Sequence, residues 1–102
     1  MPYLRGMLDM GIDEAVMAKI EAEIIAHPTH PMIRGLKGAR KARIQRPGMG
    51  KRGGARVVYY VAIGSDRFYM MAAYAKSERD DLSIEQRRRI LAALESIKKP
   101  ES

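Results

Sequence analysis

The chain has 102 residues, no cysteine and a formal net charge of +7. That length supports one domain spanning residues 1–102, and the missing thiols exclude disulfides and thiolate metal sites. No apolar run approaches the roughly twenty residues of a membrane span, and no basic region followed by an apolar stretch opens the chain; no membrane contact is expected, and the expected compartment is the cytoplasm.

Residues 1–11 show no clear period, and Tyr3 and Leu4 suggest a short strand. The next segment reads as a helix over residues 13–27. Met17, Ile20 and Ile24, with Val16 and Ile25 beside them, recur at helical spacing. Asp13 is the expected N-cap, and Asp13 and Glu14 suit the positive end of the helix dipole. The run His27-Pro28-Thr29-His30-Pro31 ends the helix, because a residue before proline is pushed out of helical geometry. The two histidines mark that end rather than a metal pair.

A basic window follows. Between Glu23 and Asp66 there is no Asp or Glu, yet nine of the nineteen Lys and Arg residues fall there: Arg34, Lys37, Arg40, Lys41, Arg43, Arg46, Lys51, Arg52 and Arg56. A scattered surface charge serves solubility. A positive field confined to one segment attracts a polyanion, and neutralising phosphates with release of counterions drives nucleic-acid binding. Inside this window Lys41, Arg43 and Gln45 alternate with Ala42 and Ile44, the period of a half-buried strand. Residues 46–54 form a loop, with a turn at Pro47-Gly48 and glycines at 50, 53 and 54.

A second strand is expected over residues 55–63, with Val57, Tyr59, Val61 and Ile63 on one face and Arg56, Val58 and Tyr60 on the other. Tyr59 belongs to the core by this parity. Gly64-Ser65-Asp66 reads as a hairpin turn, and residues 67–75 as a third strand, apolar enough to be central and covered on both faces. Met17, Met70 and Met71 suit core gaps. Arg79, Asp80 and Asp81 read as a structural ion-pair cluster. Ser83-Ile84-Glu85-Gln86 is a capping box. The last helix reaches Lys98 with Ile84, Leu91, Leu94 and Ile97 inward, and Arg87-Arg88-Arg89 on a solvated face. The tail from Pro100 is expected to fray.

These pieces make an α+β domain: an antiparallel sheet of three to four strands packed against an N-terminal and a C-terminal helix. Both helices are expected on one sheet face. The opposite face would stay open and carry Lys41, Arg43, Arg56 and Tyr60, roofed by a mobile loop with Lys51 and Arg52.

Three stretches carry a resemblance. They are Gly35-Leu36-Lys37-Gly38-Ala39-Arg40-Lys41-Ala42-Arg43, then Gly50-Lys51-Arg52-Gly53-Gly54-Ala55-Arg56-Val57-Val58-Tyr59-Tyr60, then Ala73-Tyr74-Ala75-Lys76-Ser77-Glu78-Arg79-Asp80-Asp81-Leu82. Together they resemble the RelE/HigB superfamily of bacterial type II toxins, most closely its HigB2-like branch. The resemblance implies a RelE-like fold and a ribosome-dependent mRNA endonuclease that needs no cofactor or metal. It implies binding to the ribosome and mRNA, and neutralisation by a cognate antitoxin of helix-turn-helix type through which alone operator DNA would be reached. In that family a ribose 2′-OH attacks the adjacent phosphate. Carried over, the catalytic cations are Lys41, Arg43, Arg56 and Lys76.

The residue types suit that chemistry. A pentacovalent phosphorane gains negative charge, which fixed guanidinium groups stabilise. Arginine's planar fork matches two phosphate oxygens. Lys41 or Lys76 could take the 2′-OH proton, since neighbouring cations favour a neutral amine. Lys37, Arg40, Arg46, Lys51 and Arg52 would hold RNA or ribosome, and Tyr60 and Tyr74 either stack on bases or pack in the protein. Two departures matter. The position after Asp81-Leu82, where some members carry an acid or base, is Ser83, a helix cap. Members also begin with a full strand, and about a dozen residues precede the first helix signal here, so an exposed sheet edge is expected. A gyrase poison resembling ParE and a non-catalytic nucleic-acid-binding remnant are the alternatives. Lys41, Arg43 and Arg56 count against the first.

Overall fold

Tyr3 and Met7 stand one helical turn apart, and both are buried. Their segment is a helix, α1 (Pro2–Asp9), and not the strand suggested by Tyr3 and Leu4. Pro2 opens it, a position where proline's missing N–H is no loss. The computed structural model describes residues 2–48, 50–62, 67–77 and 81–98. The expected turn at residues 64–66, the frayed tail and the pair Arg79 and Asp80 lie outside them.

Helix α2 (Glu14–Ala26) forms as its pattern dictates. The Asp13 carboxylate accepts the Val16 amide at 2.9 Å, and Met17, Ile20 and Ile24 are buried. Ile25 points outward instead of joining the stripe. The chain then runs irregularly to β1 (Arg40–Gln45), passes a single 3-10 turn at Gly50–Gly53, and enters β2 (Gly54–Val61) and β3 (Phe68–Ala75). Helix α3 (Ile84–Lys98) closes the domain. Its capping box is formed: the Gln86 amide donates to the Ser83 hydroxyl at 3.1 Å, and the Ser83 amide donates to the Gln86 side chain at 3.0 Å. Ser83 is the cap, so Ile84 starts the helix exposed, while Ile90 and Leu94 turn inward.

The sheet is antiparallel with strand order β1-β2-β3. The central strand is therefore β2, and β3, expected to be central, is an edge of this sheet. Helix α1 packs against it. Gly6 passes so close to Ala73 that a Cβ there would clash with the Ala73 carbonyl oxygen. Glycine is required at that crossing.

Two cores sandwich the sheet. Ala42, Val57, Tyr59 and Ala73 meet Tyr3, Met7, Met17, Ile20 and Ile24 from α1 and α2. Val58, Tyr60, Ala72 and Tyr74 meet Ile90 and Leu94 of α3, with Ile33 and Leu36 of the segment before β1. Both faces are covered, which overturns the expectation of two helices on one face and a bare face opposite. The physical reason lies in β2. Val57-Val58-Tyr59-Tyr60 is apolar on both parities, and such a strand needs cover on both sides. Among the described residues no helix is long and apolar enough to cross a membrane.

Candidate nucleic-acid interface

The register of the three strands places the cations in rungs. Arg43 faces Arg56, which faces Tyr74. One rung toward the start of β2, Gln45 faces Gly54, and the Lys76 amide donates to the Gly54 carbonyl. One rung the other way, Lys41 faces Val58. Successive side chains alternate between faces, and rung partners share a face. Lys41, Arg43, Arg56 and Lys76 therefore lie on the same side of the sheet, the side that α3 covers further along. Parity in the sequence predicted the grouping of Lys41, Arg43 and Arg56, and Lys76 entered through the resemblance alone.

The surroundings of these four cations differ. Arg43 and Lys76 are exposed, and Lys41 is half-buried. Arg56 was expected to face solvent, yet it is only 9% exposed. Its guanidinium donates to the Ala55 carbonyl at 3.1 Å. A guanidinium so enclosed is held on the central strand of the sheet with little conformational freedom left to lose on meeting a ligand. Arg43 directly across from it is a like-charge pair, which costs a sheet some tenths of a kcal/mol up to about 1 kcal/mol. Nothing in packing requires a cation at the exposed Arg43. An anion bound between the two would remove the cost.

Helix α3 adds a cation, Arg87, expected on a solvated face. Arg87 is half-buried and pairs with Asp81 at 3.0 Å, and it reaches the Arg34 carbonyl at 3.4 Å. Its neighbour Arg89 pairs with Glu85 at 2.8 Å on the exposed side. The signal was present: Arg87, Ile90 and Leu94 recur at helical spacing, so Arg87 sits on the packed face. The Asp81 carboxyl is held below its ordinary range, first by the Leu82 amide, then by Arg87 and the field of Lys41. Asp81 is thus the carboxylate that trims the positive charge beside Lys41. Asp81 pairs with Arg87, while its expected partner Arg79 lies outside the described residues.

Several expected contacts are placed elsewhere. Tyr60 and Tyr74, 6% and 7% exposed, are core residues under α3 and present no free ring face to a base. Arg40 follows the opposite parity to Lys41. It lies at the far end of β1, where it donates to the His30 carbonyl at 2.6 Å. His30 in turn shares a 2.6 Å hydrogen bond with the Tyr59 hydroxyl. Burial raises the titration of that hydroxyl, and His30 and Arg40 oppose the shift. Lys37 also belongs to that far end, where its carbonyl accepts from Lys98. Arg46 is tied to the end of the glycine loop, its amide donating to the Gly53 carbonyl at 2.9 Å. Lys51 and Arg52 sit in the 3-10 turn, and their side chains are outside the described set.

The acid-free window therefore does not form one patch. It divides into a group around Arg43 and Arg56 and a second around Lys37 and Arg40. A comparison with protein-family models matches residues 35–99 to the RelE toxin of the RelE/RelB toxin–antitoxin system. The match spans both groups, the whole sheet and α3.

Proposed function

Because the chain belongs to the RelE toxin family and is the toxin of a toxin–antitoxin pair, we propose that it cleaves mRNA on the ribosome. The observation that carries this reading is the opposed pair Arg43 and Arg56, one exposed and one enclosed, with Lys41 one rung away and Lys76 beside Gly54. In the proposed step the 2′-oxygen attacks the adjacent phosphorus. Lys41 or Lys76 takes the hydroxyl proton. The bond from phosphorus to the 5′-oxygen breaks, and that oxygen gains a proton. The products are a 2′,3′-cyclic phosphate and a free 5′-hydroxyl.

Arg56 supplies a preorganised charge to the phosphorane, and Arg43 closes on the phosphate from the exposed side. Asp81 positions Arg87 at the border of the site and limits repulsion around Lys41. The partners in this reading are the ribosome, its mRNA and a cognate antitoxin of helix-turn-helix type, acting in the bacterial cytoplasm. A translation reaction with defined mRNA tests it by primer extension. Adding the protein should create new ends within the coding region, carrying 5′-hydroxyls and depending on ribosomes. Full-length mRNA under those conditions would sink the reading.

A further inference from the structure

Opposite the Arg43 end, a separate cleft of about 280 Å³ opens between the segment before β1 and the end of α3. Lys37, Arg40 and Lys98 surround it, with Tyr60 as its floor and Pro28 and Met32 along its rim. The cleft is built rather than incidental. Lys37 has a φ of 45° and Gly38 a φ of 102°, and this left-handed pair folds the loop back over the Tyr60 ring. The Lys98 ammonium stands 5.0 Å above the centre of that ring while donating to the Lys37 carbonyl. Among the described residues, none of the three cations forms an ion pair with a carboxylate. Met32, 61% exposed, provides an apolar ledge beside the charges.

Three cations lining one cleft beside an apolar ledge suit a phosphate with its base laid alongside. Continuity selects RNA as the ligand. Lys41 and Arg43 lie on the α3 side of β1, and Arg40, of opposite parity, borders the cleft at the start of that outer strand. Arg40 is three residues from Arg43, roughly 10 Å along a strand. We infer that Lys37, Arg40 and Lys98 form a second phosphate subsite, which holds a nucleotide of the same RNA strand a short distance from the scissile one. This rests on the RNA-cleaving function proposed above. The Lys98 ammonium, already oriented by the ring and the Lys37 carbonyl, faces the phosphate with a remaining proton, and Arg40 approaches from the strand.

The test uses the full chain and the double variant Lys37→Asn, Lys98→Gln. Asparagine tolerates the left-handed backbone at 37, and glutamine keeps a donor at 98. Thermal melting confirms that both proteins are equally folded. Fluorescence anisotropy then follows binding of a single-stranded RNA of about twelve nucleotides and of a dinucleotide across a salt series. The variant should bind the longer RNA several-fold more weakly. Its dependence of log affinity on log salt should be shallower by about 0.7, the value of one single-strand phosphate. Dinucleotide binding should not change. An unchanged slope for the longer RNA, with a steep slope in the parent, overturns the subsite and leaves the cleavage reading standing. A salt-independent affinity in the parent overturns the RNA reading, and the subsite with it. If the variant instead loses binding to poly-glutamate while its RNA slope is unaltered, the cleft is a peptide site and the inference is wrong.

Discussion

Under α1 and α2 the sheet is closed along its length by apolar side chains. Val57, Tyr59 and Ala42 are each at most 1% exposed beneath Met7, Ile20 and Ile24. Under α3 the closure is partial. Leu94 and Ile90 seal Val58 and Tyr60, but the rungs of Arg43 and Lys76 run out toward solvent. The same strand, β2, serves both faces, with Val57 and Tyr59 on one and Arg56, Val58 and Tyr60 on the other. Substitutions on the first face should therefore act through stability. Those at the open end of the second should act through the reaction.

The largest effect tests the closed face. Met7→Ala removes a fully buried side chain between α1 and the sheet, and such a truncation costs about 2–5 kcal/mol. Urea unfolding measures it directly, and a loss under about 1 kcal/mol would mean that α1 is not part of the core. Gly6→Ala attacks the same contact from the backbone. Its Cβ would clash with the Ala73 carbonyl oxygen, so α1 must shift, at a cost of about 1–3 kcal/mol. Faster amide exchange across α1 would show the displacement.

Arg56 joins the two behaviours. Its stem is enclosed, so Arg56→Ala should lower the melting temperature as well as the cleavage rate. Arg56→Lys fills most of the same space but lacks the planar fork. It should melt close to the parent and still cleave poorly. Equal losses of stability in both variants would assign Arg56 to the core alone.

A smaller effect concerns pH. The Tyr3 hydroxyl donates to the Glu21 carboxylate at 2.7 Å. Burial chiefly, and Glu21 in addition, push its titration above the ordinary tyrosine value of 10.0. The folded state thus holds this proton more tightly than the unfolded state. Its contribution is complete below pH 10 and is lost as the pH rises through the raised value. Melting of the parent should fall more steeply above that pH than melting of Tyr3→Phe. Asp81→Asn is the mildest change. The depressed Asp81 titration contributes stability above the ordinary carboxylate range, lost as the pH falls. The pair with Arg87 is largely exposed, so the neutral-pH effect should stay within about 1 kcal/mol. A larger loss in thermal melts would assign Asp81 a deeper structural role.

Much of this arrangement could be read from residues alone, and the limits have physical causes. Asp13 and the Ser83-Gln86 box mark helix starts because their side chains replace missing backbone partners. Alternation at Lys41 and Arg43 brings those cations together with Arg56, since a strand has a period of two. The first helix was missed because one turn offers a single spacing, Tyr3 to Met7, too little to outweigh a β-prone Tyr-Leu pair. The covered second face is obscured in the sequence because the polar Arg56 suggests an open surface, while the apolar run after it demands cover. Arg40 and Lys37 looked like members of one patch by closeness in sequence. Register separates Arg40, because adjacent strand residues point to opposite faces, and Lys37 precedes β1 in a left-handed turn set against Lys98. Arg87 needed the phase of α3, which a three-arginine run obscures.

The most direct test is Arg43→Ala. Arg43 is exposed, and its side chain has no place in either core. Cleavage of a defined mRNA should be timed in a translation reaction, alongside a melting curve of the purified protein. The account predicts an unchanged melting temperature and a rate lower by roughly a hundredfold, the usual effect of removing one charge aimed at a developing anion. A variant that melts like the parent and cleaves at the parent's rate would contradict it.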